Sequence, residues 1–335
     1  MISVDEKYMR MCFALAKKGY GKVAPNPMVG CVVLDRVGNL ISKGYHKKYG
    51  ENHAERDALL KLKNNEAEGG TLYVNLEPCS HFGKTPPCVD LIIKHKLKRV
   101  VIGMKDVNPK VDGITKLKNA GIEVDFVLEE EARFLNRMFI KTMTEKMPYV
   151  VLKTASTMDG KIASKTGSSK WITSETARKE VYRMRKEFDC IMTSSNTVIA
   201  DNPSMQHNFK CILDKDLRTP KDAKIYQQGE IYIASKENTP LKDKQLDIEA
   251  VLKNLYSKGI YSVFVECGGT LAGSMLKDNL IDEVYQFIAP KILNDNNGLS
   301  CFNGADIKEI SQAKNLKIYE LKQIEKDILI KAIVL

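Results

Sequence analysis

The sequence predicts an α/β protein of two domains, each a mostly parallel sheet covered by helices. Short apolar runs alternate with amphipathic stretches along both halves, which is the pattern of linked strand and helix units. At 335 residues the chain exceeds one ordinary domain. Near its midpoint Met147-Pro148 breaks a long charged helix, and this divides the chain into 1–147 and 148–335.

Each element carries its own signal. Residues 5–18 show an apolar helical face through Met9, Cys12, Phe13 and Ala16, with Gly19 as the stop. Residues 29–34 and 40–44 read as strands joined around Gly38-Asn39. A helix over 53–63 turns Ala54, Ala58, Leu59 and Leu62 inward. Strands at 71–76 and 99–103 flank a helix opened by Pro87, where the missing N–H costs nothing. Residues 129–146 read as one long charged helix. In the second half, apolar runs at 149–153, 191–193, 231–234 and 261–265 read as strands, with helices at 174–186 and 247–258. Residues 294–298 form a turn, and 306–335 alternate like closing strands.

Composition narrows the class. A hydrophobic fraction of 43% supports two cores. No apolar run approaches the roughly 20 residues of a membrane span. The acidic, amphipathic start Met1-Ile2-Ser3-Val4-Asp5-Glu6-Lys7 does not read as a signal peptide. The eight cysteines lack framework spacing. Six of them, Cys12, Cys31, Cys190, Cys211, Cys267 and Cys301, read as reduced residues of a cytoplasmic protein. The formal charge of +10 admits a nucleic-acid footprint, or solubility with sites for phosphorylated small molecules. Lysines are spread over the whole length and only Lys94-His95-Lys96-Leu97-Lys98-Arg99 cluster, which favours a small molecule over nucleic acid or membrane.

The densest chemistry lies in His53-Ala54-Glu55, followed by Pro78-Cys79 and Cys88. One imidazole and two thiolates are good zinc ligands, and a catalytic zinc keeps its fourth position for water. Glu55 is then placed to take the water proton and hand it to a leaving amine, as in the zinc-dependent nucleobase deaminases. On one helix His53 and Glu55 point about 200° apart, so both reach one metal site only if His53 opens the helix. Cys88 falls in the first turn after Pro87, where a thiolate is favoured. The alternative is a structural zinc site, which needs a fourth ligand such as His81 and leaves Glu55 without a role.

The cysteines here stand farther apart than in that general pattern. With Pro25-Asn26-Pro27-Met28-Val29-Gly30-Cys31 and Gly44-Tyr45-His46, the segment resembles the deaminase half of the bifunctional riboflavin-biosynthesis deaminase–reductase family. The resemblance implies a cytidine-deaminase-like α/β/α domain. Its single catalytic Zn2+ serves hydrolytic deamination of 2,5-diamino-6-ribosylamino-4(3H)-pyrimidinone 5′-phosphate. Asn26 is then expected on the pyrimidine edge. His46, His81 and Lys84 are candidates for the ribose phosphate, His46 first among them.

Without that resemblance the second half is less explicit. It has no G-x-G-x-x-G, but residues 261–273 give an apolar strand, the pair Gly268-Gly269 and a helix, where a phosphate can approach backbone N–H groups. The runs from Lys153 to Ala163, Ser169 to Thr173 and Thr197 to Pro203 resemble the reductase half of the same family. So do Leu213-Asp214, the Glu266 turn and Ile288-Ala289-Pro290. The resemblance implies a dihydrofolate-reductase-like α/β domain that uses NADPH to reduce the ribosyl side chain to ribityl, in a homo-oligomeric enzyme.

Carried over residue by residue, cofactor contacts fall on Ala155, Trp171, Thr197, Asp201, Glu266, Gly268, Gly269, Thr270, Leu271 and Ala272, and substrate contacts on Ser169, Arg185 and Met205. Lys153 is the candidate for polarising or protonating near the reduced carbon, assisted by Asp201 and Glu266. Bland readings stand beside these: Trp171 as core, Asp201 as a turn cap, Arg185 as a solvated helix face. Residues 205–210 lack the arginine by which the family holds the substrate phosphate, leaving His207 or Lys210 as substitutes. Rival readings are a nucleic-acid-editing deaminase, a zinc-stabilised binding module, and a chain whose deaminase half alone works.

Overall fold

The computed structural model describes residues 2–63, 65–83, 86–304 and 306–335, and the chain falls into two compact units, Met1–Lys146 and Met147–Leu335. The first unit holds helices α1 (Val4–Ala16), α2 (Ala54–Leu59), α3 (Cys88–Lys94), α4 (Gly113–Asn119), α5 (Glu129–Leu135) and α6 (Arg137–Glu145). Its strands are β1 (Gly30–Leu34), β2 (Leu40–Tyr45), β3 (Thr71–Val74), β4 (Arg99–Ile102) and β5 (Glu123–Phe126), in the sheet order β2-β1-β3-β4-β5. β1 runs antiparallel to β2 and β3, while β3, β4 and β5 are parallel. Every residue of β1 is buried, as suits a strand covered on both faces. α1 opens on a capping box between Ser3 and Glu6 and buries Met9, Cys12, Phe13 and Ala16, the face its periodicity predicts.

Two local features help to place the chemistry-bearing residues of this unit. α2 lies so close to β2 that a Cβ on Gly44 would sit 2.5 Å from the carbonyl oxygen of Ala54 and from the nitrogen of Ala58. Only glycine allows that approach. The stretch 129–146, expected as one helix, is two, because Asn136 leaves helical geometry at φ −101°, ψ 19°. The Asn136 side chain is 1% exposed and binds both backbone groups of Met28, accepting from its nitrogen at 2.8 Å and donating to its oxygen at 3.1 Å. Those bonds are the physical reason for the break.

The second unit holds β6 (Tyr149–Thr157), β7 (Lys161–Ala163), β8 (Cys190–Ser194), β9 (Phe209–Leu213), β10 (Glu230–Ala234), β11 (Leu241–Lys242), β12 (Gln245–Leu246), β13 (Ser262–Glu266), β14 (Glu283–Ala289), β15 (Leu299–Ser300), β16 (Leu316–Ile324) and β17 (Asp327–Val334). Eight of these form one sheet in the order β10-β9-β8-β13-β6-β14-β17-β16. The first six are mutually parallel, and β17 and β16 close the edge antiparallel. The helices are α7 (Glu175–Arg185), α8 (Ser195–Asp201), α9 (Ile248–Ser257) and α10 (Gly269–Lys277). Ser174 and Asp247 cap α7 and α9 through their side chains.

The sequence does not predict β9, since Lys210 interrupts its apolar run. That lysine is 1% exposed and donates from Nζ to the Ile225 carbonyl. The strand is therefore a core strand with a lysine inside it.

Candidate active sites

In the first unit His53 is the N-cap of α2, with extended backbone at φ −65°, ψ 163°, and Glu55 lies in the first turn. The crossover from β3 to α3 supplies Cys79, and Cys88 is the first residue of α3. The Cys88 backbone N–H donates to Cys79 Sγ at 3.3 Å. His53 Nδ1 stands 3.5 Å from Cys79 Sγ and 3.6 Å from Cys88 Sγ, and the three atoms lie within 4.8 Å of one another. Tetrahedral zinc with Zn–N of about 2.0 Å and Zn–S of about 2.3 Å needs N···S edges of about 3.5 Å. The donor set therefore fits zinc in both type and spacing.

The electrostatics single out Cys79 as the thiolate of the cluster before a metal binds. Cys79 is brought down to about 4 by the hydrogen bond from Cys88, with His53 helping against burial. The same contact, with burial, pushes Cys88 well up. His53 is raised by its hydrogen bond with Cys79. Glu55 is buried at 3% exposure, and burial, with the Cys79 charge adding to it, pushes its carboxyl up to about 7. A carboxyl poised there can both take and give a proton.

His53, Glu55 and Cys79 open onto a cavity of about 330 Å³ that Asn26, His46 and His81 also line. His46 is 2% exposed, with Nδ1 3.0 Å from the Asn52 carbonyl and Nε2 3.2 Å from Asn26 Nδ2. A carbonyl only accepts, so the proton sits on Nδ1 and Nε2 accepts from the Asn26 amide. That leaves the Asn26 oxygen as the acceptor of a residue that lines the cavity. Both His46 nitrogens are thus engaged, and its ring stands edge-on to His53 at 5.4 Å. His46 thereby holds the Asn26 amide. Among the described residues the buried Nδ1 of His81 has no partner, and Lys84 lies outside them.

In the second unit, β13 pairs with β6 so that Glu266 lies beside Lys153. Lys153 Nζ stands 3.7 Å from Glu266 Oε2, and Arg185, the last residue of α7, reaches the same oxygen from Nη2 at 3.0 Å. Burial pushes Lys153 down, only partly offset by Glu266. Burial also pushes Glu266 up, but Arg185 and Lys153 outweigh it and leave the carboxyl below its ordinary value. Two cations thus share one buried carboxylate, a local surplus of positive charge suited to an anionic substrate. Arg185 is accordingly not a solvated helix face.

The glycine turn divides in two. Gly269 and Gly273 are geometric, since a Cβ there would meet the backbone oxygens of Ser300 and Asn303 at 2.1 and 1.7 Å. Gly268 caps α10 and faces open space within 4 Å. Trp171 is 63% exposed, with the Arg178 guanidinium 4.2 Å from its ring, so it is not core.

Comparison with known proteins decides between the readings. Residues 2–104 match the cytidine and deoxycytidylate deaminase zinc-binding region, and residues 148–330 match the RibD C-terminal domain. The riboflavin biosynthesis protein RibD of Aquifex aeolicus (strain VF5) is 41% identical over 98% of each chain. That of Escherichia coli (strain K12) is 36% identical over 97% of this chain and 98% of its own. The chain belongs to the RibD family.

As a RibD protein it is a bifunctional deaminase and reductase of riboflavin biosynthesis, with zinc in the first half and NADPH in the second. Solved RibD structures share the whole fold. The Thermotoga maritima diaminohydroxyphosphoribosylaminopyrimidine deaminase/5-amino-6-(5-phosphoribosylamino)uracil reductase matches at a TM-score of 0.86, 36% identity and 99% coverage of both chains. Acinetobacter baumannii RibD matches with the same values.

The remaining positions scatter over the second unit of this RibD chain. Thr197 is tied to Ser194 Oγ in the first turn of α8, and Asp201 is the exposed last residue of that helix. Ala155, Ser169 and Leu271 are half-buried, Thr270 is exposed, and Ala272 and Met205 are buried. Neither substitute for the absent arginine is available. Lys210 is committed to Ile225, and both His207 nitrogens are engaged, Nε2 donating to the Phe188 carbonyl at 3.0 Å and Nδ1 accepting from the Phe209 nitrogen at 3.2 Å.

Sequence reading misses Glu77 and Asp106 in the first cavity. Glu77 accepts from the nitrogens of Asp106 at 3.2 Å and Ile114 at 3.0 Å. Asp106 is raised to about 6 by burial, with the Glu77 charge adding to it. The place of Glu77 just before Pro78-Cys79 is the one signal that could have found it.

Proposed function

We propose that the first unit deaminates 2,5-diamino-6-ribosylamino-4(3H)-pyrimidinone 5′-phosphate and that the second reduces the ribosyl side chain of the product to ribityl, the activities dividing at Met147-Pro148. One observation carries the first half: three ligand atoms at the edge lengths of a zinc tetrahedron, beside a buried carboxyl. Zinc, when held by His53, Cys79 and Cys88, supplies the Lewis acidity that makes water a nucleophile near neutral pH. Glu55 takes the first water proton and gives it to the ring nitrogen as the C–O bond forms; it then carries the proton of the new hydroxyl to the amino group, and the C–N bond breaks with release of ammonia. Asn26, oriented by His46, offers its oxygen to the pyrimidine edge.

In the second unit NADPH supplies the hydride when bound. Lys153 holds a proton at the sugar C1 end, and its lowered basicity makes it a ready donor. Arg185 and Ser169 face the substrate; Ala155, Trp171, Thr197, Asp201 and the turn from Glu266 to Ala272 face the cofactor. The partner is a phosphorylated small molecule rather than nucleic acid, and the protein acts as a cytoplasmic homo-oligomer. All eight cysteines are free, which supports a reducing compartment. No helix among the described residues is long and apolar enough to cross a membrane.

The test follows ammonia and NADPH absorbance together. Glu55→Gln is expected to keep its zinc and lose on the order of 10²- to 10⁴-fold in ammonia release. Near-normal release from the zinc-loaded variant rejects the proton role. Lys153→Ala is expected to stop NADPH oxidation while deamination continues, and equal loss of both counts against it.

A further inference from the structure

Of the three proposed zinc ligands, two stand on helices: His53 is the N-cap of α2 and Cys88 opens α3. Cys79 stands on neither helix nor strand. A thiolate carried by a loop keeps its place only if the residues around it are held.

The hold comes from the connection between β4 and α4, and it grips three of the residues next to Cys79. Glu77 is buried, and its two oxygens accept from two backbone nitrogens, Oε2 from Asp106 at 3.2 Å and Oε1 from Ile114 at 3.0 Å. The Pro78 carbonyl lies so close to Gly113 that a Cβ there would come within 2.1 Å of its oxygen. Glycine alone permits that approach. Ser80 is buried too, its Oγ accepting from the Asp112 nitrogen at 2.7 Å and its carbonyl from Lys116 Nζ at 2.6 Å. From α3, the Val89 nitrogen donates to the Cys79 carbonyl at 3.2 Å.

Glu77 lies outside the ligand set of His53, Cys79 and Cys88, and neither Glu77 nor Ser80 has a part in the deamination steps. The gripping segment, from Asp106 to Lys116, also lies beyond residues 2–104, which match the deaminase zinc-binding region. We propose that Glu77 and Ser80 are positioning residues: they lock the loop onto the start of α4, hold Cys79 Sγ at 3.5 Å from His53 Nδ1 and so set how tightly zinc is kept. The inference deepens the reading of His53, Cys79 and Cys88 as a zinc site and rests on it.

Chelator competition on the full chain reads zinc affinity, with the melting temperature of the metal-free protein measured alongside. Ser80→Ala deletes an acceptor, and Glu77→Gln turns one acceptor into an NH2 group facing a peptide N–H. Each is expected to weaken zinc about 10- to 100-fold. Asn136→Ala loosens the same unit through Met28 without touching the loop, and is expected to weaken zinc less than about two-fold. Unchanged zinc affinity in either loop variant overturns the inference alone. So does a loss of zinc in all three variants that follows their fall in melting temperature, which is what a merely structural role produces. An unaltered chain that takes up no zinc overturns the zinc reading and this inference with it.

Discussion

Glu266 is the residue on which the reductase half turns, because it separates two buried cations. Its carboxyl lies below the ordinary value of 4.5, so its contribution to stability is fully present above that pH and is lost as pH falls through the lower folded value. Glu266→Gln leaves Arg185 and Lys153 without a counter-charge. The second unit is then expected to lose about 3–5 kcal/mol at neutral pH, read from its denaturant midpoint, and its acid limb should flatten. A variant with an unchanged midpoint and acid limb shows that water already compensates these charges. At this scale the zinc ligands are legible in sequence because metal chemistry restricts residue type and spacing so tightly. The bond between His46 and Asn26 is not, since it depends on which atoms the ring finds in space.

Elements are legible where one force dominates them. α1 and α7 follow their apolar stripes and caps, and β13 its unbroken apolar run. Legibility fails where a single side chain acts at a distance. Asn136 splits a charged helix for the sake of Met28, over 100 residues away, and Lys210 hides a core strand by pairing with a carbonyl. No periodicity encodes either contact. Asn136→Ala removes both bonds and leaves the half-buried Met28 nitrogen without its partner, a cost of about 1–3 kcal/mol. The first unit is expected to melt several degrees lower, with KM for the pyrimidine raised more than kcat is lowered, because Met28 carries the Asn26 loop. An unchanged KM with a lowered melting temperature confines Asn136 to a structural role.

For the molecule as a whole, the two units have separate apolar cores, one built around β1, β3 and β4, the other around β13, β8 and β6. Zinc ligands come only from the first and the Lys153 cluster only from the second. Removing zinc with a chelator is therefore expected to abolish ammonia release while NADPH oxidation with supplied intermediate continues, and restored zinc should recover the first activity. Loss of both activities on chelation shows instead that the metal sustains the second half. The charge of +10, read from sequence as provision for phosphorylated substrates, is consistent with the cationic surplus around Glu266.

The chain has a single tryptophan, and it is the exposed Trp171 under the Arg178 guanidinium. Its intrinsic emission, excited where tyrosines are dark, thus originates wholly in the second unit. Events there can be watched optically without a label, against a first unit that stays silent.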